Sequence, residues 1–282
     1  MKKYAKQLLT AALVSALLLC LTVPAFAASG KKINKVTQAN QTYLYTQDAH
    51  PLNGNGPISI TEGTLNRGGK KCKIYLVAMH GTETSAIGSS VDAYNDGLAG
   101  SEEEGPYMRE IMAAMKEVIP KDANVILAGH SLGGMVGQQI AADKAMQKRY
   151  NIINIITWGS PLICGGKVEG ELHRLCDTGD LVPYMGSNVA TEGLDAAYDS
   201  TRHEEHWKEG TIFNTHPQSY GKASVWGKYD AVGVKGGDAF LKMDDSTTRF
   251  FQAPAIEGMG QFFEAHAAYK DGTNWSGVAI LI

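Results

Sequence analysis

Asn124-Val125-Ile126-Leu127-Ala128-Gly129-His130-Ser131-Leu132-Gly133-Gly134 is the stretch that decides how this chain is read. The apolar run Val125-Ile126-Leu127-Ala128 has the look of a parallel strand buried on both faces. It passes without a break into Gly129-x-Ser131-x-Gly133, and a helix then extends to about residue 150. A strand that turns sharply into a helix around such a centre puts the serine in a strained backbone conformation. The flanking glycines let neighbouring segments pass close by. A serine hydroxyl is a weak nucleophile unless it is exposed, held rigidly and next to a base. The turn is expected to expose Ser131, and the helix start aims its free amides at the reacting centre. The amide of Leu132, the residue after the nucleophile, is placed to bind a developing oxyanion. By itself the Gly-x-Ser-x-Gly spacing is common; the strand before it and the helix after it make it specific. The competing reading is an inert serine in a glycine-rich turn.

Upstream, Lys73-Ile74-Tyr75-Leu76-Val77-Ala78-Met79 is a second buried strand, ending abruptly at His80-Gly81-Thr82. The second oxyanion donor should come from the loop after such a strand, which nominates Thr82 through its amide and its hydroxyl. Residues 83–105 are polar, glycine-rich and acidic, the composition of a loop. From Pro106, residues Tyr107, Met108, Ile111, Met112, Met115, Val118 and Ile119 recur at helical spacing until Pro120, with the methionines read as core. Downstream come a strand over residues 152–157 and a weaker one over 172–176. Strands alternating with helices predict an α/β fold of the α/β-hydrolase type: a mostly parallel central sheet with helices on both faces. Residues 29–70 read as an irregular entry with one short strand near 58–60. Residues 231–282 read as a C-terminal extension without an assigned role, with a short helix near 261–269 and an apolar end at 278–282. No internal repeat is visible.

The N-terminus predicts a compartment. Lys2, Lys3 and Lys6 precede an apolar stretch over residues 8–23, and Pro24-Ala25-Phe26-Ala27 supplies the small residues of a cleavage site. Residues 1–27 are therefore expected to be a signal peptide, leaving residues 28–282 as a single secreted domain with its core at about 70–230. A membrane anchor is disfavoured because the stretch is short and its ending specific. Bulky Leu19 before Cys20 argues against a lipoprotein site. Without the leader the 26 Lys and Arg residues fall to 23 against 29 acidic ones. A mildly acidic chain with no basic tract makes nucleic acid an unsuitable partner and permits at most transient contact with lipid surfaces. Cys72, Cys164 and Cys176 remain, an odd count. An oxidising exterior permits a bond between Cys164 and Cys176, whereas Cys72 reads as an apolar filler.

A serine nucleophile needs an imidazole to take its proton and a carboxylate to fix the tautomer of that imidazole. In this fold the chain order is Ser, then acid, then His. Asp180 follows a strand end and precedes Leu181-Val182-Pro183; Asp177, Asp195 and Asp199 are the other acids, with Asp177 suited to a turn. His203, His206, His216 and His266 are the possible bases, and His216 in Asn214-Thr215-His216-Pro217-Gln218-Ser219-Tyr220 is preferred. His203 and His206 flank Glu204-Glu205 on what reads as a surface helix. Their spacing of three fails the four-residue spacing of a zinc-protease helix. His130 precedes the nucleophile on the strand and reads as structural or pocket-lining.

Gly129-His130-Ser131-Leu132-Gly133-Gly134, Thr157-Trp158-Gly159-Ser160-Pro161 and Gly179-Asp180-Leu181-Val182-Pro183 together resemble successive landmarks of the class 3 (fungal-type) triacylglycerol lipases. His80-Gly81-Thr82 resembles that family's oxyanion loop, with histidine where arginine is usual. The resemblance spans about residues 70–230 and implies Asp180 as the triad acid. Similar lipase-like bacterial sequences carry a histidine before a tyrosine and a later Tyr-Asp pair, here Tyr229-Asp230, which also favours His216. The chain departs from the family in its polar segment where an amphipathic lid would lie and in its last 50 residues.

The expectation is a secreted lipase or carboxylesterase acting on lipid-like or short-chain carboxylic esters through an acyl-enzyme, with no cofactor and no metal. The alternatives are a phospholipase or carbohydrate-ester hydrolase on the same scaffold, which fold alone does not separate, or a catalytically silent exported binding protein.

Overall fold

The computed structural model describes residues 38–50, 55–83, 91, 93–164, 166–184, 204–207, 215–222 and 226–251. The signal-peptide reading, the helix near 261–269 and the apolar end at 278–282 lie outside them.

The near-continuous apolar runs become the middle of a seven-stranded sheet in the order β6-β5-β4-β3-β2-β1-β7. Its strands are β1 (Ile58–Arg67), β2 (Lys70–Met79), β3 (Asn124–His130), β4 (Asn151–Trp158), β5 (Glu171–Asp177), β6 (Glu204–Trp207) and β7 (Phe240–Phe251). β2 to β6 run parallel, while β1 is antiparallel to both β2 and β7. Burial on two faces explains the unbroken hydrophobicity. Tyr75, Val77 and Met79 of β2 enter one core, and Ile74, Leu76 and Ala78 enter the other. The helices are α1 (Ala39–Asp48), α2 (Ala93–Gly100), α3 (Pro106–Val118), α4 (Leu132–Ala142), α5 (Lys144–Arg149) and α6 (Thr215–Gln218). α3 and α4 fill the first core with Tyr107, Ile111, Met115, Met135 and Ile140. Ala39 and Tyr43 of α1 join Trp226 and Tyr229 in the second. Helices thus cover both faces of a mostly parallel sheet. Among the described residues no helix is long and apolar enough to cross a membrane.

Several local expectations need correction. The irregular entry contains α1 and the ten-residue β1 rather than one short strand. The loop over 83–105 holds α2. The helix after Ser131 does not run unbroken to 150, because Asp143 stops α4 and caps α5. The Asp143 carboxylate accepts from the amides of Ala145 and Met146, each at 2.9 Å, satisfying two helix-start donors. The segment containing Glu204 and His206 is not a surface helix but the edge strand β6, paired in parallel with β5. The sheet also takes in strands from outside residues 70–230, since β1 precedes that span, β7 follows it and the two pair with each other. No disulfide joins Cys72, Cys164 and Cys176.

Candidate active site

Ser131 sits between β3 and α4 with φ 51° and ψ −118°, a left-handed conformation that costs a non-glycine residue strain. Its amide donates to the carbonyl of Trp158 at 3.0 Å, tying the bend to the end of β4. Bare backbones make the bend possible. A methyl group on Gly129 would lie 2.3 Å from the carbonyl carbon of Gly133, and one on Gly133 would lie 2.4 Å from the carbonyl oxygen of Met79.

The chain brings three of the expected groups into one line. His216 Nε2 is 2.9 Å from Ser131 Oγ, and His216 Nδ1 is 2.7 Å from Asp180 Oδ2. A carboxylate only accepts, so Nδ1–H donates to Asp180 and Nε2 presents its lone pair to the serine hydroxyl. His216 comes from α6, and Asp180 from the turn after β5. In that turn Asp177 Oδ1 accepts from Gly179 N–H at 2.8 Å, the expected turn role, and its carbonyl accepts from Asp180 N–H at 2.9 Å. Asp180 is fully buried and every contact orients it: Oδ1 accepts from Val182 N–H at 2.9 Å, and Oδ2 also accepts from the Tyr220 hydroxyl at 2.6 Å. Tyr220 in turn accepts from Asp177 N–H at 3.1 Å. From the sequence Tyr220 served only as the tyrosine that follows His216, with no role of its own.

One expectation about the serine fails. The bend does not hold Ser131 out in solvent, because the residue is only 1 % exposed. The Gly81 backbone passes so close that a methyl group on it would lie 3.3 Å from Ser131 Cβ. The hydroxyl is buried, in contact with its imidazole.

The oxyanion donors are revised in part. Leu132 is the first residue of α4, so its amide has no partner within the helix. Thr82 does not have its hydroxyl to offer: it donates to Asp96 Oδ2 at 2.6 Å. Only the Thr82 amide remains a candidate, on a strut braced by buried Asp96. His203, His266, Asp195 and Asp199 lie outside the described residues. Asp230 organises its own turn, accepting from the amides of Val232 and Val234.

His130, read as structural or pocket-lining, packs against His216. Its Nε2 donates to the His216 carbonyl at 3.2 Å, and its ring lies 4.8 Å from that of His216. Burial, then the neighbouring His216 and His80 rings, push its pKa well below the ordinary imidazole value. The folded state therefore holds His130 neutral while the unfolded chain takes up the proton. Its contribution to stability is fully present above about pH 6.5 and is lost as pH falls below that value. The urea midpoint should drop between pH 7.5 and pH 5, and His130→Asn should flatten that drop. Equal slopes in the two proteins would refute this account of His130.

The sheet, the strained serine and its imidazole define an α/β-hydrolase. The chain belongs to the family of the PGAP1-like alpha/beta domain, whose model matches residues 23–169. That span includes Thr82, Ser131 and Leu132 but ends before Asp180 and His216, and it does not point to the class 3 lipases specifically. No curated protein matches the chain.

Proposed function

We propose that this chain is an exported serine hydrolase that cleaves carboxylic esters through an acyl-enzyme. Ser131 Oγ attacks the ester carbonyl while His216 Nε2 takes its proton. The amides of Leu132 and Thr82 receive the charge that develops on the carbonyl oxygen. His216 then protonates the departing alcohol, and water repeats the sequence in reverse to free the acid. The observation that carries this reading is the continuous line from Ser131 Oγ through His216 to Asp180, with links of 2.9 and 2.7 Å.

Lipid-like or short-chain esters are the substrate class, a choice supported by the resemblance of the elbow, Gly-Ser-Pro and Asp-Leu-Val-Pro segments to lipase landmarks. Between Glu83 and Gly105 the bulky apolar residues are few, and Val91 and Leu98 among them are buried rather than offered to an oil surface. Short or soluble esters are therefore preferred, without activation at an interface. The test is a chain-length series of p-nitrophenyl esters measured on the culture medium of an expressing host, together with a fluorophosphonate probe that reacts only with an activated serine. Activity in the medium, highest on short chains and abolished by the probe, is expected. A sharp rate rise at the micellar threshold would overturn the substrate preference, activity confined to the cells would overturn export, and an unlabelled serine would overturn the mechanism.

A further inference from the structure

We propose that His50, His80 and Glu83 form a binding site for one zinc ion that clips α1 to the loop carrying Thr82. Each residue offers one ligand atom, and all three atoms lie within 4.8 Å of one another. His50 Nε2 and Glu83 Oε2 are 3.4 Å apart, close to the edge of a tetrahedron with metal bonds of about 2.0–2.2 Å. The widest separation, at most 4.8 Å, needs to close by up to about 1.4 Å to reach that edge. The two imidazole rings lie 4.4 Å apart between centroids and 55° between planes, tilted instead of stacked flat.

The stronger observation concerns His80. Its Nδ1–H donates to the Thr46 carbonyl at 2.9 Å, and a carbonyl only accepts. In the neutral ring this leaves the lone pair on Nε2, in a residue 6 % exposed. A backbone carbonyl that accepts from the far nitrogen commonly supports an imidazole that binds metal, because it fixes both tautomer and ring direction. The backbone is braced too: His80 N–H donates to the Pro57 carbonyl at 3.0 Å, and the His80 carbonyl accepts from the Tyr107 hydroxyl at 3.2 Å. Glu83 is fixed through its amide, which donates to the Val91 carbonyl at 2.9 Å. Two imidazoles and one carboxylate favour zinc over magnesium or calcium, which take all-oxygen shells. The sequence called for no metal because only His80 and Glu83 lie close together, while His50 stands 30 positions before His80.

Such an ion would cross-link residues that lie 30 apart in the chain, His50 just past α1 and His80 at the end of β2. It would hold the segment His80-Gly81-Thr82 against the bend at Ser131. The site is independent of the ester-hydrolase reading and is tested without reference to activity. The full-length mature chain is stripped with chelator and titrated with zinc chloride, with magnesium chloride as comparison. One zinc per chain is expected, with the melting temperature raised by roughly 5–10 °C at a hundredfold excess over Kd. His50→Ala and Glu83→Gln should each weaken binding roughly tenfold or more. His216→Ala should leave it unchanged, which separates this site from zinc on the active-site imidazole. Circular dichroism of the zinc-free variants, with Glu83→Gln as the isosteric change, keeps misfolding from passing as lost binding. No saturable zinc binding, full affinity in His50→Ala and Glu83→Gln, or loss of binding in His216→Ala would each overturn the proposal. The first of these would leave His50 and Glu83 as an ordinary ion pair.

Discussion

Ser131→Ala should lower kcat on p-nitrophenyl esters on the order of a million-fold while leaving the fold intact. The change removes one oxygen and nothing else that the bend depends on. The Ser131 amide keeps its bond to the Trp158 carbonyl, and the glycine contacts that allow the turn are unaffected. The cavity left is a single buried oxygen in size, so the melting temperature should move by only a few degrees (roughly 1 kcal/mol or less). What disappears is the group whose proton His216 Nε2 is positioned to accept at 2.9 Å. The amides of Leu132 and Thr82 remain, and a residual acceleration over water of about a thousand-fold should survive through them. Steady-state rates on a short ester and a thermal melt check both halves. A variant as fast as the parent would remove Ser131 from the chemistry altogether.

Asp180→Asn should cost kcat about ten-thousand-fold with little change in KM. Shape is conserved, but the number of acceptors is not. Asp180 receives three donors: Val182 N–H on Oδ1, and His216 Nδ1–H and the Tyr220 hydroxyl on Oδ2. An asparagine has one oxygen. If that oxygen keeps Val182, the amide –NH2 faces His216 and forces Nδ1 to accept. The proton then moves to Nε2, which points at Ser131 and can no longer take its hydrogen. If the amide flips, the turn at Val182 loses its anchor instead. Tyr220→Phe removes one donor of the three and spares the tautomer, so its loss should be roughly tenfold, the scale of one hydrogen bond to a charged group. The graded pair is diagnostic. Should Asp180→Asn cost no more than Tyr220→Phe, the carboxylate is not what orients the imidazole.

Much of the site was legible because its signal is local. The strand, the glycine spacing and the helix around Ser131 occupy one short stretch, and the buried strands β2, β3 and β4 announce themselves by composition. The base was harder. His216 stands 85 positions from Ser131, and no spacing rule selects it over His203, His206 or His266. The elements that went unread owe their existence to tertiary contacts or to bonds that mimic apolar packing. α1 buries Thr42 and Thr46 by turning their hydroxyls onto the carbonyls of Ala39 and Tyr43, so it shows no apolar stripe. α2 carries Gly97 and Gly100 and is steadied by its neighbours, including Asp96 against Thr82 and Asn95 Oδ1 accepting from Tyr107 N–H. Asp244-Asp245-Ser246-Thr247-Thr248 has no apolar alternation, yet it lies within β7. Its threonines reach across an irregularity in the pairing, Thr248 to the Thr61 hydroxyl and Thr247 to the Glu62 amide. The burial of Ser131 escaped for the same reason, since the Gly81 backbone that approaches it is remote in sequence.

The pairing of β1 with β7 bears on how the molecule is made. Ile58 finds its partner in Phe251, so the first strand to leave the ribosome waits for nearly all the remaining described chain before its outer side is matched. During that interval its amides and carbonyls form an open edge able to recruit strands from other molecules. Contacts of such high sequence separation also form slowly, since a very long loop must close before they reward it. Pairing with the stretch that ends at residue 251 thus comes late, and it moves that edge of the sheet from β1 to β7.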